Sequence, residues 1–300
     1  MISPNNFKAA ILVSSCDAYE DVWNPFFALF KKYWPNCKYN IYLNTESKMF
    51  SYDGLNITCL HPGESEKQIS WSNRLKQALL QVEEDVVICF LEDFFLLSEV
   101  NNDAIEECLD WMAEDKKLGC IRIKNHTKYT DQITHGEFAP PPDNYDYAVS
   151  TQAAIWNKNF LLELLRDESA WEFEYYGSGR FNRIYRKEGY RVYNHIDEAK
   201  PIVDYKHWPE EDYGIIQGKW CQGTIALFAR EGIQFDFDSR GFAGESEATN
   251  VNLSKRTVKE KILSVVTNPY VVWKRIRYSD FGNKVYRNYW IKFRRRYLNH

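Results

Sequence analysis

No apolar run in this 300-residue chain approaches the roughly 20 residues needed to cross a bilayer, so no membrane-spanning helix is expected. The opening residues Met1-Ile2-Ser3-Pro4-Asn5-Asn6 are polar and give no secretory leader. Neither G-x-G-x-x-G nor G-x-x-x-x-G-K-[ST] follows the first strand pattern, which disfavours a dinucleotide fold and a P-loop NTPase. C-x-x-C, H-x-H and H-E-x-x-H spacings are also lacking. The seven cysteines are scattered through apolar runs such as Ile57-Thr58-Cys59-Leu60, and read as reduced thiols rather than a disulfide frame or a zinc site. With no repeat or low-complexity segment either, the expectation is a cytoplasmic globular protein.

Aromatic residues, by contrast, are plentiful: 20 Tyr, 18 Phe and 10 Trp make up 16% of the chain. Sugar-binding clefts, membrane interfaces and an aromatic-rich core would each account for them. The net charge of −4 conceals an asymmetry, because 13 Lys/Arg against 2 acids between Lys255 and His300 leave that tail near +11. Within it, Tyr270 to Tyr278 and Tyr286 to Tyr297 interleave aromatics with cations. Helices of this kind suit an anionic lipid surface, which would make the protein peripheral to the inner membrane. Packed terminal helices with a solvated basic face are the alternative, and nucleic acid is disfavoured by the acidic remainder. The turn-forming residues from Asp238 to Gly244 read as a flexible linker. They divide a catalytic unit, 1–244, from a helical basic extension, 245–300.

Along the chain, Ala9 to Val13 reads as a buried strand, Tyr19 to Trp34 as a helix and Tyr39 to Leu43 as a second strand. Ile57 to Leu60 is a short third strand, and Ser70 caps a helix running to about Val82. Val86 to Leu91 follows as a strand, then Asn102 as the N-cap of a helix to about Asp115 and a strand from Gly119 to Ile123. Alternation of this length predicts an α/β fold: a mostly parallel central sheet flanked by helices. Lys124 to Tyr147 lacks periodicity and reads as an exposed loop. Further on, Tyr147 to Trp156 reads as a strand, Lys158 to Arg166 as a helix, and Trp171 to Glu188 as a helix bent near Gly177. Tyr190 to Tyr193 and Pro201 to Tyr205 are candidate strands, and Gln222 to Glu231 a helix stopped by Gly232.

One strand end stands out. Val86 to Leu91 runs directly into Glu92-Asp93, and ionised carboxylates beside a core need a partner or a metal. At the carboxyl edge of a parallel sheet the two acids suit a divalent cation, Mn²⁺ or Mg²⁺, held against a diphosphate. Because adjacent strand residues point to opposite faces, the two share a ligand only if the chain turns there. Asp93 is then assigned to the metal and Glu92 to the nucleotide or to a water of the same ion; a turn cap beside a solvated acid is the alternative. Ser14, Ser15 and Asp17 after the first strand, and Asn44 after the second, could hydrogen-bond a nucleoside, or simply form turns. Arg74, in the first turn of the helix capped by Ser70, suits a phosphate or is solvated. Glu174 is the first choice and Glu172 the second for a base that deprotonates an acceptor hydroxyl, against plain helix-dipole complementarity. His195 and His207 are candidates to complete the metal shell.

Taken together, Ser14 to Asp17, Trp71 to Leu75, Leu91 to Phe95, Trp171 to Glu174 and Gly218 to Trp220 resemble bacterial GT-A-type glycosyltransferases of surface-polysaccharide (capsule or lipopolysaccharide) biosynthesis. The likeness covers about the first 230 residues. It implies a Rossmann-like nucleotide-binding half and a nucleotide-sugar donor, with a UDP-sugar as first choice. It also implies an acid pair in the metal and diphosphate role, here Glu-Asp without a spacer. In inverting members a carboxylate at the start of a later helix is the base, a place matched by Glu174 or Glu172. The acceptor implied is a lipid-linked glycan. A nucleotidyltransferase using the same acids, and a noncatalytic membrane-associated scaffold, are the competing readings.

Overall fold

Short apolar runs that alternate with helical periods build one eight-stranded sheet. The computed structural model describes residues 8–60, 69–126, 128–206 and 213–243; the basic tail expected to meet membranes lies outside them. In chain order the strands are β1 (Ala9–Ser14), β2 (Asn40–Asn44), β3 (Ile57–Leu60), β4 (Val86–Leu91), β5 (Leu118–Arg122), β6 (Phe138–Ala139), β7 (Ala154–Asn157) and β8 (Arg191–His195). They lie in the order β3-β2-β1-β4-β7-β5-β8-β6. The first four are mutually parallel, β5 and β8 run the same way, and only β7 and β6 are reversed. The expected mostly parallel sheet flanked by helices is therefore present. A separate hairpin pairs β9 (Ile215–Ile216) with β10 (Lys219–Trp220).

The helices are α1 (Glu20–Tyr33), α2 (Trp71–Leu79), α3 (Asn102–Glu114), α4 (Lys158–Leu164), α5 (Ala170–Glu172), α6 (Ser178–Arg180) and α7 (Gly223–Glu231). Strand side chains alternate between faces, so Ile11, Val13, Ile88 and Phe90 pack with α1, α3 and α7, while Ala10, Leu12, Val87 and Trp156 pack with α2, α4 and with Phe173, Phe181 and Tyr185. Much of the aromatic excess fills the first layer: Trp23, Phe26, Phe27, Phe30, Trp34, Phe95, Trp220 and Phe228 are all buried. Among the described residues the exposed aromatics are Tyr129, Tyr147, Trp171 and Tyr175, of which Trp171 and Tyr175 flank Glu174 in sequence.

Several local expectations are corrected. The strand expected over 147–156 forms only at Ala154–Asn157, because its earlier amides pair with side chains instead: Val149 with Ser178 Oγ, Thr151 with Glu174 Oε1 and Ala153 with the Tyr205 hydroxyl. The run 201–205 makes one isolated bridge, between Leu96 and Tyr205, and Pro201 has no amide to extend it. The expected loop 124–147 contains β6, whose Phe138 and Ala139 pair with His195 and Asn194. Asn101, not Asn102, caps α3 through the Ala104 amide, while Asn102 accepts from the Trp34 indole. The bend expected near Gly177 is instead continuous helix with two wider π turns, Phe173–Gly177 and Phe181–Tyr185. Residues 238–243 are packed rather than a linker: Trp220 donates to the Gly241 carbonyl, Ala243 donates to the Trp220 carbonyl, and Phe242 lies against Phe237.

Candidate active site at the strand ends

Parallel register pairs Ser14 of β1 with Leu91 of β4 and with Asn44 of β2. The three strands thus release their chains side by side at one carboxyl edge, where open α/β sheets receive ligands. Beyond Leu91 the chain turns at once, the Phe94 amide donating to the Leu91 carbonyl at 3.2 Å, which brings both acids to this edge. Glu92 is 8% exposed, and burial, reinforced by the charge of Asp93, pushes its carboxyl up to about 8. Its own amide, Arg240 and Arg74 pull the other way. Asp93 is half-buried; its Oδ2 accepts from the Ile215 amide at 3.3 Å. Gly214, at φ +85°, lies so close that a Cβ would sit 3.2 Å from that oxygen. The Tyr19 phenol, pushed up to about 12 by burial and then by both acids, remains a neutral donor beside them.

The raised Glu92 has a consequence for stability. The folded protein keeps a proton that the unfolded chain releases above about pH 4.5, so this contribution is present at low pH and is lost as pH rises through 8. Glu92→Gln removes the titration, and the variant should gain on wild type by roughly 3–5 kcal/mol between pH 4 and pH 9. Urea unfolding across that range is the measurement, and a constant difference would contradict the assignment.

Around the acids, groups assigned from sequence to a nucleoside are engaged by the protein itself. The Ser15 hydroxyl accepts from the buried Trp23 indole at 2.7 Å. Asp17 accepts from the amides of Glu46, Ser47 and Lys48 and from the Ser47 hydroxyl. Burial raises the Asp17 carboxyl, but these bonds outweigh it and hold the group below the usual carboxylate range. In return, Glu46 Oε2 accepts from the Asp17 amide at 3.1 Å and Oε1 from Arg74 at 3.0 Å. Ser15 and Asp17 thus have structural partners of their own, and Glu46 is the anchor of Arg74. Ser14 is buried at the rim of a small cavity shared with Trp71, Leu91, Thr151 and Phe173. Asn44 is 1% exposed and neither atom of its amide has a partner among the described residues, which leaves a donor and an acceptor for water or ligand beside Ser14.

The two base candidates separate clearly. Glu172 closes a capping box, its Oε2 accepting from the Ser169 amide and hydroxyl, so its carboxylate serves the start of α5. Glu174 lies in the π turn after α5, 9% exposed; its Oε1 accepts from the Thr151 amide at 2.8 Å and hydroxyl at 2.9 Å. Its Oε2 accepts no hydrogen bond among the described residues. Thr151 therefore connects Glu174 to the cavity that Ser14 and Leu91 line.

His195 does not join the acids. It ends β8, three strand positions from β4 and so about 14 Å across the sheet. There its ring is fully buried against Phe138 and its pKa is lowered by burial. His207 lies outside the described residues. No group of three or more His, Cys, Asp or Glu that could hold a metal occurs among the described residues. Two carboxylates at one edge nonetheless fit a hard cation held largely by a ligand's phosphates and water, the usual manner of Mg²⁺.

Sequence reasoning missed Arg240. Its guanidinium lies over the Tyr19 ring at 4.4 Å and binds Asp21 and the Ala18 carbonyl, placing a second cation near Glu92. No local signal marks it, since 219 residues separate it from Asp21.

No protein-family model matches the chain, and no curated protein matches it. Solved structures with a similar chain path include S. aureus TarS, at 15% identity and TM-score 0.43 over 68% of this chain. The match spans only 37% of that TarS chain. S. aureus TarS 1-349 in complex with UDP-GlcNAc matches at 14% identity and TM-score 0.46, over 90% of this chain and 81% of that one. A CMP:2-keto-3-deoxy-manno-octonic acid synthetase complexed with CTP matches at 14% identity and TM-score 0.38, over 75% and 99%. At such identities and scores the likenesses assign no activity to this chain. Among the described residues no helix is long and apolar enough to cross a membrane.

Proposed function

We propose that the protein is a glycosyltransferase that moves a sugar from a nucleotide-sugar donor, a UDP-sugar in first place, to a hydroxyl of a glycan acceptor. The observation that carries this reading is the pairing of two differently charged regions at one sheet edge. Glu92 and Asp93 lie with Arg74 and Arg240 on one side, and Glu174, with one carboxylate oxygen unengaged, lies across Thr151 on the other. The first suits a diphosphate and its cation; the second suits an acceptor hydroxyl. Asp93, with Glu92, would hold Mn²⁺ or Mg²⁺, which when bound would supply positive charge opposite the nucleoside diphosphate. Glu174 Oε2 takes the acceptor proton as the new C–O bond forms at the anomeric carbon, and the old glycosyl–phosphate bond breaks with its electron pair to the diphosphate. Displacement on one step inverts configuration. The exposed rings of Trp171 and Tyr175, one helical turn apart beside Glu174, offer apolar faces to the acceptor's sugar rings.

A nucleotidyltransferase would use the same acid pair but leave Glu174 without a task. Sequence alone supports a lipid-linked acceptor of surface-polysaccharide assembly, through the basic aromatic tail 255–300 and its affinity for anionic membranes. The test is a panel of UDP-, GDP- and CMP-sugars with Mn²⁺ or Mg²⁺, read by thermal shift and donor turnover. A UDP-sugar is expected to raise the unfolding temperature in a chelator-sensitive manner. If no nucleotide does so and EDTA changes nothing, the reading fails.

A further inference from the structure

β4 lies in the middle of the sheet, yet Cys89 is only half-buried while Val86, Val87, Ile88 and Phe90 are buried. Its register partners are Leu12 on β1 and Ala154 on β7, and the alanine is too short to cover it. Cys89 forms the floor of a cavity of about 20 Å³ walled by Trp71 and Leu75 of α2 and by Trp156 and Phe173. The Trp71 and Phe173 rings stand 5.6 Å apart, tilted toward each other. Close-packed interiors leave few such voids, and this one has room for a single group the size of a water or a methyl. Its polar lining gathers at the carboxyl edge of the sheet. Ser14 ends β1 there, and Ser150, Thr151 and Gln152 precede β7, which enters the sheet from that edge.

The rim offers both kinds of hydrogen-bonding group. The Ser14 hydroxyl makes no hydrogen bond among the described residues. Ser150 Oγ accepts from the Gln152 amide at 3.3 Å and keeps its proton to donate, whereas the Thr151 hydroxyl gives its proton to Glu174 and keeps lone pairs to accept. The rim is also fixed in place, because the strap 145–151 that carries Ser150 and Thr151 is held at alternate positions. Asn182 donates to the Tyr145 carbonyl at 2.9 Å and Arg122 to that of Tyr147 at 3.0 Å. Ser178 engages both the amide and the carbonyl of Val149, and Glu174 accepts from Thr151. Three of these holders, Glu174, Ser178 and Asn182, are spaced by four along one helical stretch; Arg122 alone comes from the sheet. A preformed apolar recess under a few placed polar groups is how small ligand groups are recognised.

We propose that this cavity receives the acyl methyl of the donor, which makes the donor a nucleotide-linked 2-acetamido sugar. This rests on the reading of the protein as a glycosyltransferase. Displacement needs the diphosphate and the acceptor base on opposite sides of the anomeric carbon, so the sugar lies between the acid pair and Glu174. Leu91, next to the acids, and Thr151, bonded to Glu174, line the cavity from the two sides of that gap. The substituent on C2, adjacent to the anomeric carbon, is the one best placed to enter. An acetamido group brings an amide N–H and C=O to the hydroxyls of the rim and one methyl to the floor, whereas a 2-hydroxyl leaves the recess empty.

The test uses the full chain with UDP-GlcNAc carrying a ¹³C-labelled acetyl methyl. On binding, that methyl resonance should move upfield under the Trp71 and Phe173 rings. UDP-GlcNAc should exceed UDP-glucose by about 10–200-fold in kcat/KM, the range for filling a methyl-sized pocket, and the N-propionyl analogue should lose a similar factor. UDP-GalNAc and UDP-galactose form a second pair, so that configuration at C4 does not decide the result. Cys89→Leu fills the floor and should bring the acetamido-to-hydroxyl ratio near one and abolish the upfield shift. Should that variant not fold, Cys89→Ala decides: it deepens the recess and should raise the propionyl-to-acetyl ratio, and an unchanged ratio overturns the proposal. An unshifted methyl, equal use of the paired donors, or binding by no member of either pair also overturns it. The two readings fail separately. A shifted methyl with no turnover of any donor removes the transferase reading and leaves the acetamido site, whereas equal turnover of UDP-glucose and UDP-GlcNAc does the reverse.

Discussion

Asp93→Asn is expected to cut donor turnover by about 10²–10³-fold, the loss typical when one preorganised electrostatic contact to a developing charge is removed. The substitution keeps an oxygen for the Ile215 amide, so the turn after β4 and the approach of Gly214 survive. Stability should accordingly stay within about 1 kcal/mol of wild type, as for changes that create no cavity and orphan no buried group. The residual activity should also lose its dependence on Mn²⁺ or Mg²⁺. Steady-state kinetics on whichever donor the panel selects, with and without EDTA, is the measurement. An Asp93→Asn enzyme that turns over at the wild-type rate would remove the acid pair from the chemistry. The same change should lower the titration midpoint of Glu92, since Asp93 is the second-largest influence raising it.

Arg180→Ala is expected to cause a large loss of stability at any pH in the neutral range. Arg180 and Glu168 form a two-pronged ion pair at 2.6 and 2.7 Å with side chains 1% and 0% exposed. Truncating the arginine leaves a carboxylate buried and unpaired, a loss of about 3–5 kcal/mol. For a folded unit of this size that lowers the unfolding temperature by roughly 10 °C. Replacing both partners with apolar residues of similar volume should restore most of it, and calorimetry on the single and double variants separates the cases. A second effect follows from the wiring. Ser72 Oγ donates to the Glu168 carbonyl and accepts from its amide, so the pair also fixes the first turn of α2, from which Arg74 reaches Glu46. Arg180→Ala should therefore weaken nucleotide binding although it lies outside the site. An unfolding temperature within 2 °C of wild type would show that the pair is not the tie described.

The first half of the fold was legible because its signals are local. Buried strands, helical spacing and the Ser70 cap each depend on residues within one or two turns. The direction of β7 was not, since a four-residue strand with three apolar residues, Ala154–Trp156, reads the same either way. The acid pair stands out in the sequence because carboxylates after an apolar run are costly wherever the run packs. What failed was competition at long range. Whether Asp17 faces a ligand or the amides of 46–48 depends on where β2 delivers its loop, and nothing near position 17 encodes that. Arg240, Arg122 and the Glu168–Arg180 pair escaped for the same reason: a cation's partner is chosen by the fold, not by its neighbours in sequence.

The two π turns in the helical stretch 170–188 fix a gear ratio. In a regular α-helix, residues 174 and 182 would diverge by about 80° around the axis, eight steps of 100° against two full turns. The wider turns at Phe173–Gly177 and Phe181–Tyr185 wind more slowly and bring Glu174, Ser178 and Asn182 back toward one line. The extra residue in each turn is thus an insertion the site depends on. Deleting one would give a more ordinary helix, and every side chain beyond the deletion would be out of mesh with the strap by about 100°.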